Sequence, residues 1–259
     1  MEVDVSVIVP ALRRPVSLRR AVESALGQAG PAVDVLVVDV SKESSAAAVV
    51  RALNDPRVSY LKRTVPGAVS FASARNEAWP RVQGRYLHFI EEDDVVAPDA
   101  YAALVAALDA QPERGVSFGR VEPYADDPDV LVRERAYFEK AARTARWVKS
   151  PLWLVAQMLF RPTVLVGAAC IIRRDCVPAL GGYNPACGDV DSVDFYLRAI
   201  RHFGCAFVDR VVVHHRAERA LRGDLSEAYA EMYRRYREAF GAAELLAMKL
   251  LARTVLRFT

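Results

Sequence analysis

Four consecutive acidic residues, Glu91 to Asp94, directly follow an apolar segment that has the composition of a buried strand. Like charges this close repel one another, and their burial without a counter-charge is costly. A divalent cation is the simplest remedy, because Glu91 and Asp93 lie on the same side of an extended segment. Such a pair suits a hard ion such as Mg²⁺ or Mn²⁺, which keeps other coordination positions open for phosphate oxygens. The alternative is a solvated acidic turn before the next helix.

The elements that must position these acids alternate between strand and helix through the first half of the chain. Short β-branched runs predict strands at residues 5–9, 35–38, 57–61 and 86–90, and apolar periodicity predicts helices at residues 18–26, 44–53 and 69–81. This pattern is typical of a mostly parallel sheet that is covered on both faces and binds ligands beyond the carboxyl ends of its strands. Asp39 ends the second strand, so we expect it to face the same crevice as the acidic cluster.

The second half of the sequence is less regular. It predicts helices at residues 99–110, 130–149 and 192–203, strands at residues 166–172 and 206–213, a polar loop at residues 122–129 and a helical tail from residue 225. No linker rich in Gly or Ser detaches any part of the chain. The sequence therefore predicts one domain with a helical C-terminal extension.

Composition excludes several classes of protein. The chain has 259 residues, of which 53% are apolar and 26% charged, which excludes a disordered or fibrous protein. Its formal net charge of +3 is too even for a nucleic-acid partner held by bulk charge. The N-terminus has no signal-peptide pattern, and the longest apolar run, residues 151–172, is interrupted by Arg161 and Pro162. The spacing of the four cysteines fits neither a zinc site nor a disulfide framework: Cys170, Cys176, Cys187 and Cys205. We therefore expect them to be reduced thiols in a cytoplasmic protein.

Four segments, in this order, resemble the sequence blocks of family 2 glycosyltransferases with the GT-A fold. They are residues 5–15 (VSVIVPALRRP), residues 35–41 (VLVVDVS), residues 74–99 with Ala74-Arg75-Asn76 and the acidic cluster, and residues 181–198 with Gly181-Gly182-Tyr183 and Asp191-Ser192. Together they span about residues 3–215, which makes the resemblance far more specific than any one segment.

The resemblance implies an α/β protein with the GT-A fold, a Rossmann-like, mostly parallel sheet flanked by helices. It implies a glycosyltransferase domain over residues 1–215, with a nucleotide-sugar-binding half (1–98) and an acceptor-binding half (99–215), and a helical C-terminal extension over residues 216–259. It also implies an enzyme: a metal-dependent, inverting glycosyltransferase that moves a sugar from a nucleotide-diphosphate sugar, with UDP as the expected nucleotide, to an unidentified hydroxyl acceptor.

Position by position, the resemblance assigns nucleotide and diphosphate binding to residues near the strand ends: Pro10, Ala11, Leu12, Arg13, Asp39, Arg75, Asn76, Glu91, Glu92 and Asp93. The implied cofactor is Mn²⁺ or Mg²⁺. Its expected ligands are Asp93, Glu91 and a late histidine, for which His215 and His214 are the two candidates. Adjacent residues on a strand point to opposite faces, so only one of them can serve.

The chain departs from the family's usual pattern at several positions. Arg13 stands where the family usually has asparagine, Val40 replaces a second acid, and the first acid of the metal motif is Glu91. The family's catalytic Glu-Asp pair falls on Asp191 and Ser192, and serine cannot act unaided as a general base. We expect Asp191, or otherwise Asp189, to take the proton of the acceptor. An N-cap role for Asp191 on the helix that follows is the alternative.

Two other functions stay open at this point. Ser192 favours a catalytically weak or inactive relative that binds a nucleotide sugar without efficient transfer. A nucleotidyltransferase would also use carboxylate-bound metal, but the loop after the first strand has charge without the glycines that such enzymes usually carry.

Two basic segments suggest partners. Basic residues within 131–149 suggest an anionic or lipid-linked acceptor, and the alternative is a solvated helix face. Residues 245–258 place Lys249, Arg253 and Arg257 on one stripe of a leucine-rich helix, which suits peripheral contact with the inner face of a membrane. The alternative for this helix is packing on its own domain or on a second subunit of a homodimer.

Overall fold

The computed structural model describes residues 2–63, 70–147, 151–160, 166–217, 230, 232–236 and 240–254. Its strands are β1 (Val5–Ala11), β2 (Val33–Asp39), β3 (Val58–Lys62), β4 (Tyr86–Phe89), β5 (Val95–Val96), β6 (Val116–Tyr124), β7 (Cys170–Arg173) and β8 (Cys205–Arg216). Its α-helices are α1 (Pro15–Leu26), α2 (Ser45–Leu53), α3 (Phe71–Ala78), α4 (Ala100–Asp109), α5 (Pro128–Trp147), α6 (Pro151–Phe160), α7 (Cys176–Leu180), α8 (Asp191–Phe203) and α9 (Ala242–Thr254). Short 3₁₀ helices cover Trp79–Arg81, Gly167–Ala169 and Pro185–Val190.

These strands form one sheet in the order β3-β2-β1-β4-β7-β6-β8-β5. The pairs β1–β2, β2–β3 and β1–β4 are parallel, as helical crossover connections require. Beyond β4 the sheet is mixed, because β4–β7, β6–β7 and β5–β8 are antiparallel and β6–β8 is parallel. The direction first reverses next to β4, the strand that leads into the acidic cluster.

Both faces of the sheet are covered, which explains why its central strands are apolar throughout. Along β1, Val5, Val7 and Val9 belong to one apolar core, and Ile8 belongs to the other. The first core includes the buried stripe of α1, which repeats at helical spacing: Leu18, Ala21, Val22 and Ala25. The second core includes α3, α6 and α8, so that α8 brings Asp191 to the same face as Arg75 of α3.

The predictions for the first half are confirmed to within a few residues at each end of the elements. Two predictions for the second half are wrong. The polar loop at residues 122–129 does not exist as such, because β6 stays paired with β8 through Tyr124 and α5 begins at Pro128. The strand predicted from residue 166 begins only at Cys170, because Gly167–Ala169 form a 3₁₀ turn. The helical tail is confirmed in residues 232–236 and in α9, and its remaining residues lie outside the described part.

Within the described residues, every helix is too short or too polar to cross a membrane. Cys170, Cys176, Cys187 and Cys205 are free, as predicted. Burial raises the pKa of the Cys176 and Cys187 thiols to about 11, so both are protonated at neutral pH.

Candidate active site

The acidic cluster forms a tight turn between β4 and β5. Asp94 is fully buried, and one of its oxygens accepts a hydrogen bond from the Glu91 backbone N–H at 3.0 Å. Its other oxygen lies 2.7 Å from Nδ1 of His215, near the end of β8. Burial alone would lower the pKa of His215, but the Asp94 carboxylate outweighs it and raises the pKa to about 9. The imidazole is therefore protonated at neutral pH and neutralises Asp94.

Asp93 is paired with Arg14, in the loop that follows β1. The Asp93 side chain is 12% exposed, and its burial and the nearby Asp94 raise the pKa of its carboxyl against the opposing charge of Arg14. The Tyr124 hydroxyl, at the end of β6, donates to the backbone carbonyl of Asp93. No sequence pattern indicated this role for Tyr124, because Tyr124 lies in the segment predicted as a polar loop. Arg14 was equally hidden, since nothing distinguishes it from Arg13 beside it.

Glu92 organises the loop after β1. Its carboxylate accepts hydrogen bonds from the backbone N–H groups of Leu12, Arg13 and Arg14 at 3.0, 3.2 and 3.2 Å. Three backbone donors that face one carboxylate form a small anion-binding concavity, which Glu92 fills. Four residues predicted to bind the nucleotide lie here, two of them buried in β1 and two in the loop: Pro10, Ala11, Leu12 and Arg13.

Asp39 is enclosed by hydrogen-bond donors at the end of β2. Its carboxylate accepts bonds from the backbone N–H groups of Ser41 (2.9 Å) and Ala46 (3.1 Å) and from the hydroxyls of Ser41 (2.6 Å) and Tyr60 (3.0 Å). The Lys62 ammonium lies 3.6 Å away. Burial alone would raise the pKa of Asp39, but these donors lower it. The predicted contact with a nucleoside would therefore involve a carboxylate that already accepts four hydrogen bonds.

Arg75 connects the acidic cluster to α8. Its side chain is 3% exposed, and its Nη1 lies 3.0 Å from both carboxylate oxygens of Asp191. Its Nη2 lies 3.8 Å from a Glu91 oxygen, and its guanidinium carbon lies 5.0 Å from the centre of the Tyr183 ring. Arg75 was predicted on the nucleotide side of the site. The structure places it between the acidic cluster and the candidate base.

Asp191 is the first residue of α8 and is 6% exposed. The N-cap position is Val190, so Asp191 is a first-turn residue of the helix and not its N-cap. The Ser192 hydroxyl donates to Asp191 at 3.1 Å. Asp189 is exposed on the preceding 3₁₀ helix. Of the two candidate bases, Asp191 is therefore the one joined to the rest of the site.

Asn76 locks the loop that precedes α8. Its amide donates to the Tyr183 carbonyl at 2.8 Å and accepts from the Tyr183 N–H at 2.8 Å. A side chain at Gly182, whose φ is +74°, would meet the Asn76 oxygen at 2.4 Å. Asn76 was predicted to bind the nucleotide, and in the structure its amide holds the protein backbone.

The cluster has the right chemistry for a divalent ion, because carboxylate oxygens and an imidazole nitrogen are ligands of Mn²⁺. In the part of the chain that the structure describes, however, no three such side chains are arranged to hold a metal ion. Asp93 is paired with Arg14, and His215 is held through Nδ1, so an ion would need Nε2, which must first lose the proton it carries in the pair with Asp94. The residues present therefore have the chemistry of a divalent-ion site, and Arg14 occupies one of its acids.

Residues 6–168, more than half of the chain, match the sequence model of Glycosyl transferase family 2. The chain belongs to this family. Among curated proteins, the succinoglycan biosynthesis protein ExoO of Rhizobium meliloti (strain 1021) is 34% identical over 110 residues, 41% of this chain and 30% of that protein. Protein CgeD of Bacillus subtilis (strain 168) is 27% identical over 115 residues, 42% of this chain and 27% of that protein. The matched region is less than a third of either relative.

Solved structures place this family 2 chain among GT-A folds. S. aureus TarS 1-349 in complex with UDP superimposes with a TM-score of 0.63 at 13% identity, covering 88% of this chain and 63% of that one. Glucosyl-3-phosphoglycerate synthase from Mycobacterium tuberculosis, in complex with Mn²⁺, UDP and glucosyl-3-phosphoglycerate, superimposes with a TM-score of 0.55 at 18% identity, covering 96% and 79%. At these identities the likeness establishes the fold. The predicted family and fold are confirmed.

Proposed function

We propose that this chain is an inverting glycosyltransferase that takes a sugar from a nucleotide-diphosphate sugar, with UDP as the nucleotide, and transfers it to a hydroxyl acceptor. Family membership supports glycosyl transfer, and the TarS and glucosyl-3-phosphoglycerate synthase structures contain UDP. The observation that carries the proposal is Arg75, which joins Asp191 to the acidic cluster through one buried guanidinium. The candidate base and the acidic cluster proposed to hold the ion thus lie on either side of one side chain.

In the proposed reaction, the acceptor oxygen attacks the anomeric carbon as the bond from that carbon to the diphosphate breaks. The acceptor's proton passes to the Asp191 carboxylate, and the nucleoside diphosphate leaves with the bonding electron pair. A divalent ion, for which Asp93, Glu91 and His215 are the proposed ligands, would neutralise the negative charge that grows on the diphosphate. Attack opposite the leaving group inverts the configuration of the sugar.

The roles of the neighbouring residues follow from their contacts. Arg75 and Ser192 both donate to the Asp191 carboxylate and fix its orientation at the start of α8. Ser192 is thus a positioning residue in this proposal. Glu92 holds the backbone of residues 12–14, the loop assigned to the nucleotide.

One observation favours the alternative of a donor-binding protein with weak turnover. Arg75 contacts both oxygens of Asp191, so lone pairs on each oxygen are already engaged. A proton acceptor held in this way has less capacity to bond the hydroxyl of an acceptor. Nucleotidyl transfer, the third reading of the sequence, is disfavoured by the family match.

The test measures binding and turnover separately. Calorimetric titration with UDP, with and without Mn²⁺, reports donor binding, and UDP released from UDP-glucose or UDP-N-acetylglucosamine reports transfer to water or added acceptor. We expect Asp191→Asn to keep UDP affinity and to lower UDP release about 100-fold or more. The matched control is Asp175→Asn, an exposed acid before α7, which should change neither.

The outcomes separate the candidates. Wild-type protein that binds UDP but releases none from any donor would favour the donor-binding alternative, as would release that Asp191→Asn does not alter. Failure to bind any nucleoside diphosphate would refute the proposal.

We also propose that α9 contacts an anionic membrane surface. Its buried side is centred on Met248, whereas Leu246 and Leu250 are 59% and 53% exposed beside exposed Lys249 and Arg253. Apolar insertion and basic charge act together on anionic lipid. Flotation with phosphatidylserine-containing vesicles should recover the protein, and the Lys249→Gln/Arg253→Gln double variant should lose this binding. Equal flotation with phosphatidylcholine vesicles alone would contradict the electrostatic part.

The remaining expectations stay predictions. They are the division of the chain into functional parts at residues 98 and 215, an anionic or lipid-linked acceptor, the lack of a nucleic-acid partner, a cytoplasmic location and a homodimer.

A further inference from the structure

Arg14 is attached to the acidic cluster at two points. Its guanidinium pairs with the Asp93 carboxylate, and its backbone N–H donates to Glu92 at 3.2 Å. Its side chain is nevertheless 40% exposed, whereas the Asp93 side chain is only 12% exposed. The guanidinium therefore lies at the mouth of the site, over an acid that faces inward.

We propose that Arg14 is a built-in competitor of the divalent ion: it occupies Asp93 when no ion is bound, and it leaves Asp93 to bind the diphosphate of the donor when the ion enters. This inference rests on the proposed function, because it concerns the same acids and the same donor. It adds a residue that neither the sequence pattern nor the family resemblance singled out.

A bound divalent ion and the Arg14 guanidinium exclude each other at Asp93. A guanidinium and a divalent ion are both positive and both require the lone pairs of the Asp93 carboxylate, so they cannot hold the same oxygen together. Of the three basic groups that neutralise the cluster, Arg75 is 3% exposed and His215 26% exposed, and each is held by a buried acid of its own. Arg14, at 40%, is the most exposed of the three and the one that lies nearest to solvent.

Release also gives Arg14 a second partner. A donor brings a diphosphate to the edge where the ion binds, and the planar guanidinium matches phosphate oxygens in charge and geometry. Because its backbone stays fixed to Glu92, the released side chain remains beside this edge. Arg14 should therefore oppose the ion when the ion binds alone and support the nucleotide once the ion is in place.

The test uses Arg14→Gln with Arg19→Gln as the matched control. Arg19 lies on α1 about one turn further along, and its side chain is 53% exposed and paired with Glu23. Calorimetry with Mn²⁺ alone should show Arg14→Gln binding about tenfold tighter than wild type, which corresponds to about 1.4 kcal/mol. With Mn²⁺ saturating, the same variant should bind UDP about tenfold more weakly. Arg14→Lys should fall between wild type and Arg14→Gln in both titrations, and Arg19→Gln should match wild type.

The diagnostic result is that Arg14→Gln changes the two affinities in opposite directions, with tighter Mn²⁺ binding and weaker UDP binding. If Arg14→Gln binds Mn²⁺ equally or more weakly than wild type, the competition is overturned, and the proposed function survives when wild type binds both Mn²⁺ and UDP. If UDP affinity is unchanged, the second half of the inference is overturned. If no variant binds Mn²⁺ while UDP still binds, both the competition and the metal requirement fail, but donor binding stands. Circular dichroism and melting temperature confirm that each variant is folded.

Discussion

Replacing Arg75 with methionine should destabilise this protein far more than the loss of a surface arginine. Methionine keeps much of the apolar length of the side chain but removes the cation that pairs with Asp191. The Asp191 residue is only 6% exposed, so water cannot replace that cation well. Breaking a buried ion pair by removing one partner costs about 3–5 kcal/mol. Loss of the contact between the guanidinium and the Tyr183 ring, at 5.0 Å, adds to this cost. We therefore expect the free energy of unfolding to fall by about 4 kcal/mol.

For a chain of this length, each kcal/mol lowers the melting temperature by about 2–4 °C, so the Arg75→Met variant should melt about 8–16 °C below wild type. The matched control is Arg57→Met. Arg57 also binds an aspartate through two guanidinium nitrogens, at 3.0 and 2.7 Å from Asp55, but its side chain is 48% exposed. Exposed pairs contribute little, so this control should lose less than about 1 kcal/mol.

The assay is denaturant unfolding of wild type, Arg75→Met, Asp191→Asn and the double variant. The double variant buries neither charge, so its loss should be smaller than the sum of the two single losses by about 1 kcal/mol or more. Losses that add would refute the claim that Arg75 acts through Asp191. A loss in Arg75→Met no larger than in Arg57→Met would refute the claim that the pair is effectively buried.

Three further results are expected. Glu92→Ala should weaken UDP binding about tenfold. The backbone N–H groups of residues 12–14 would lose a charged acceptor worth about 1.5–3 kcal/mol. An unchanged affinity for UDP would mean that this loop keeps its shape without Glu92. In EDTA, the free energy of unfolding of His215→Gln should be lower than that of wild type, by up to about 3 kcal/mol below pH 6.5. The difference should shrink as the pH rises to 9, because protonation of the folded imidazole supplies this stability. A difference that does not depend on pH would contradict the ion pair. Gly182→Ala should lower the free energy of unfolding by about 2 kcal/mol more than Gly181→Ala does. Both glycines have positive φ, but only a methyl group at position 182 would press on Asn76. Equal losses of stability would show that the Asn76 side chain can move aside.

Local patterns in the sequence were sufficient for the first half of the fold. β1 and β2 are rich in β-branched residues, β1 ends one residue after Pro10 and β2 ends at Asp39, and α1 carries its apolar residues at helical spacing. β6 has no such signal, because Gly119, Arg120 and Pro123 interrupt it. Its strand state comes from pairing with β7 and β8, which lie far along the chain. Non-local pairing is absent from any window of sequence, so the strand was missed.

The same distinction applies to the site. The sequence predicted which acids gather at the sheet edge, because strand ends and helix starts are local features. It did not predict which group each acid would contact. Glu92 reaches amides about 80 residues away, and Asp94 pairs with a histidine 121 residues away. Such pairings depend on the directions of side chains within the folded crevice. Carboxylates predicted to bind a nucleotide or an ion therefore bind the protein's own backbone or basic side chains.

Serine at position 192 changes the charge around Arg75. With an acid at both positions, the start of α8 would present two carboxylates to the rest of the site, and one could stay paired while the other took a proton. In this chain the guanidinium has one carboxylate on α8, Asp191, and its remaining reach is toward Glu91 at 3.8 Å. The proposed base and the proposed metal ligand therefore share one cation. An ion that neutralises Glu91 would leave Arg75 to Asp191, and a substrate that draws Arg75 toward the diphosphate would release the Asp191 oxygens to accept a proton. Occupancy of the donor side would thus determine whether Asp191 can act as a base.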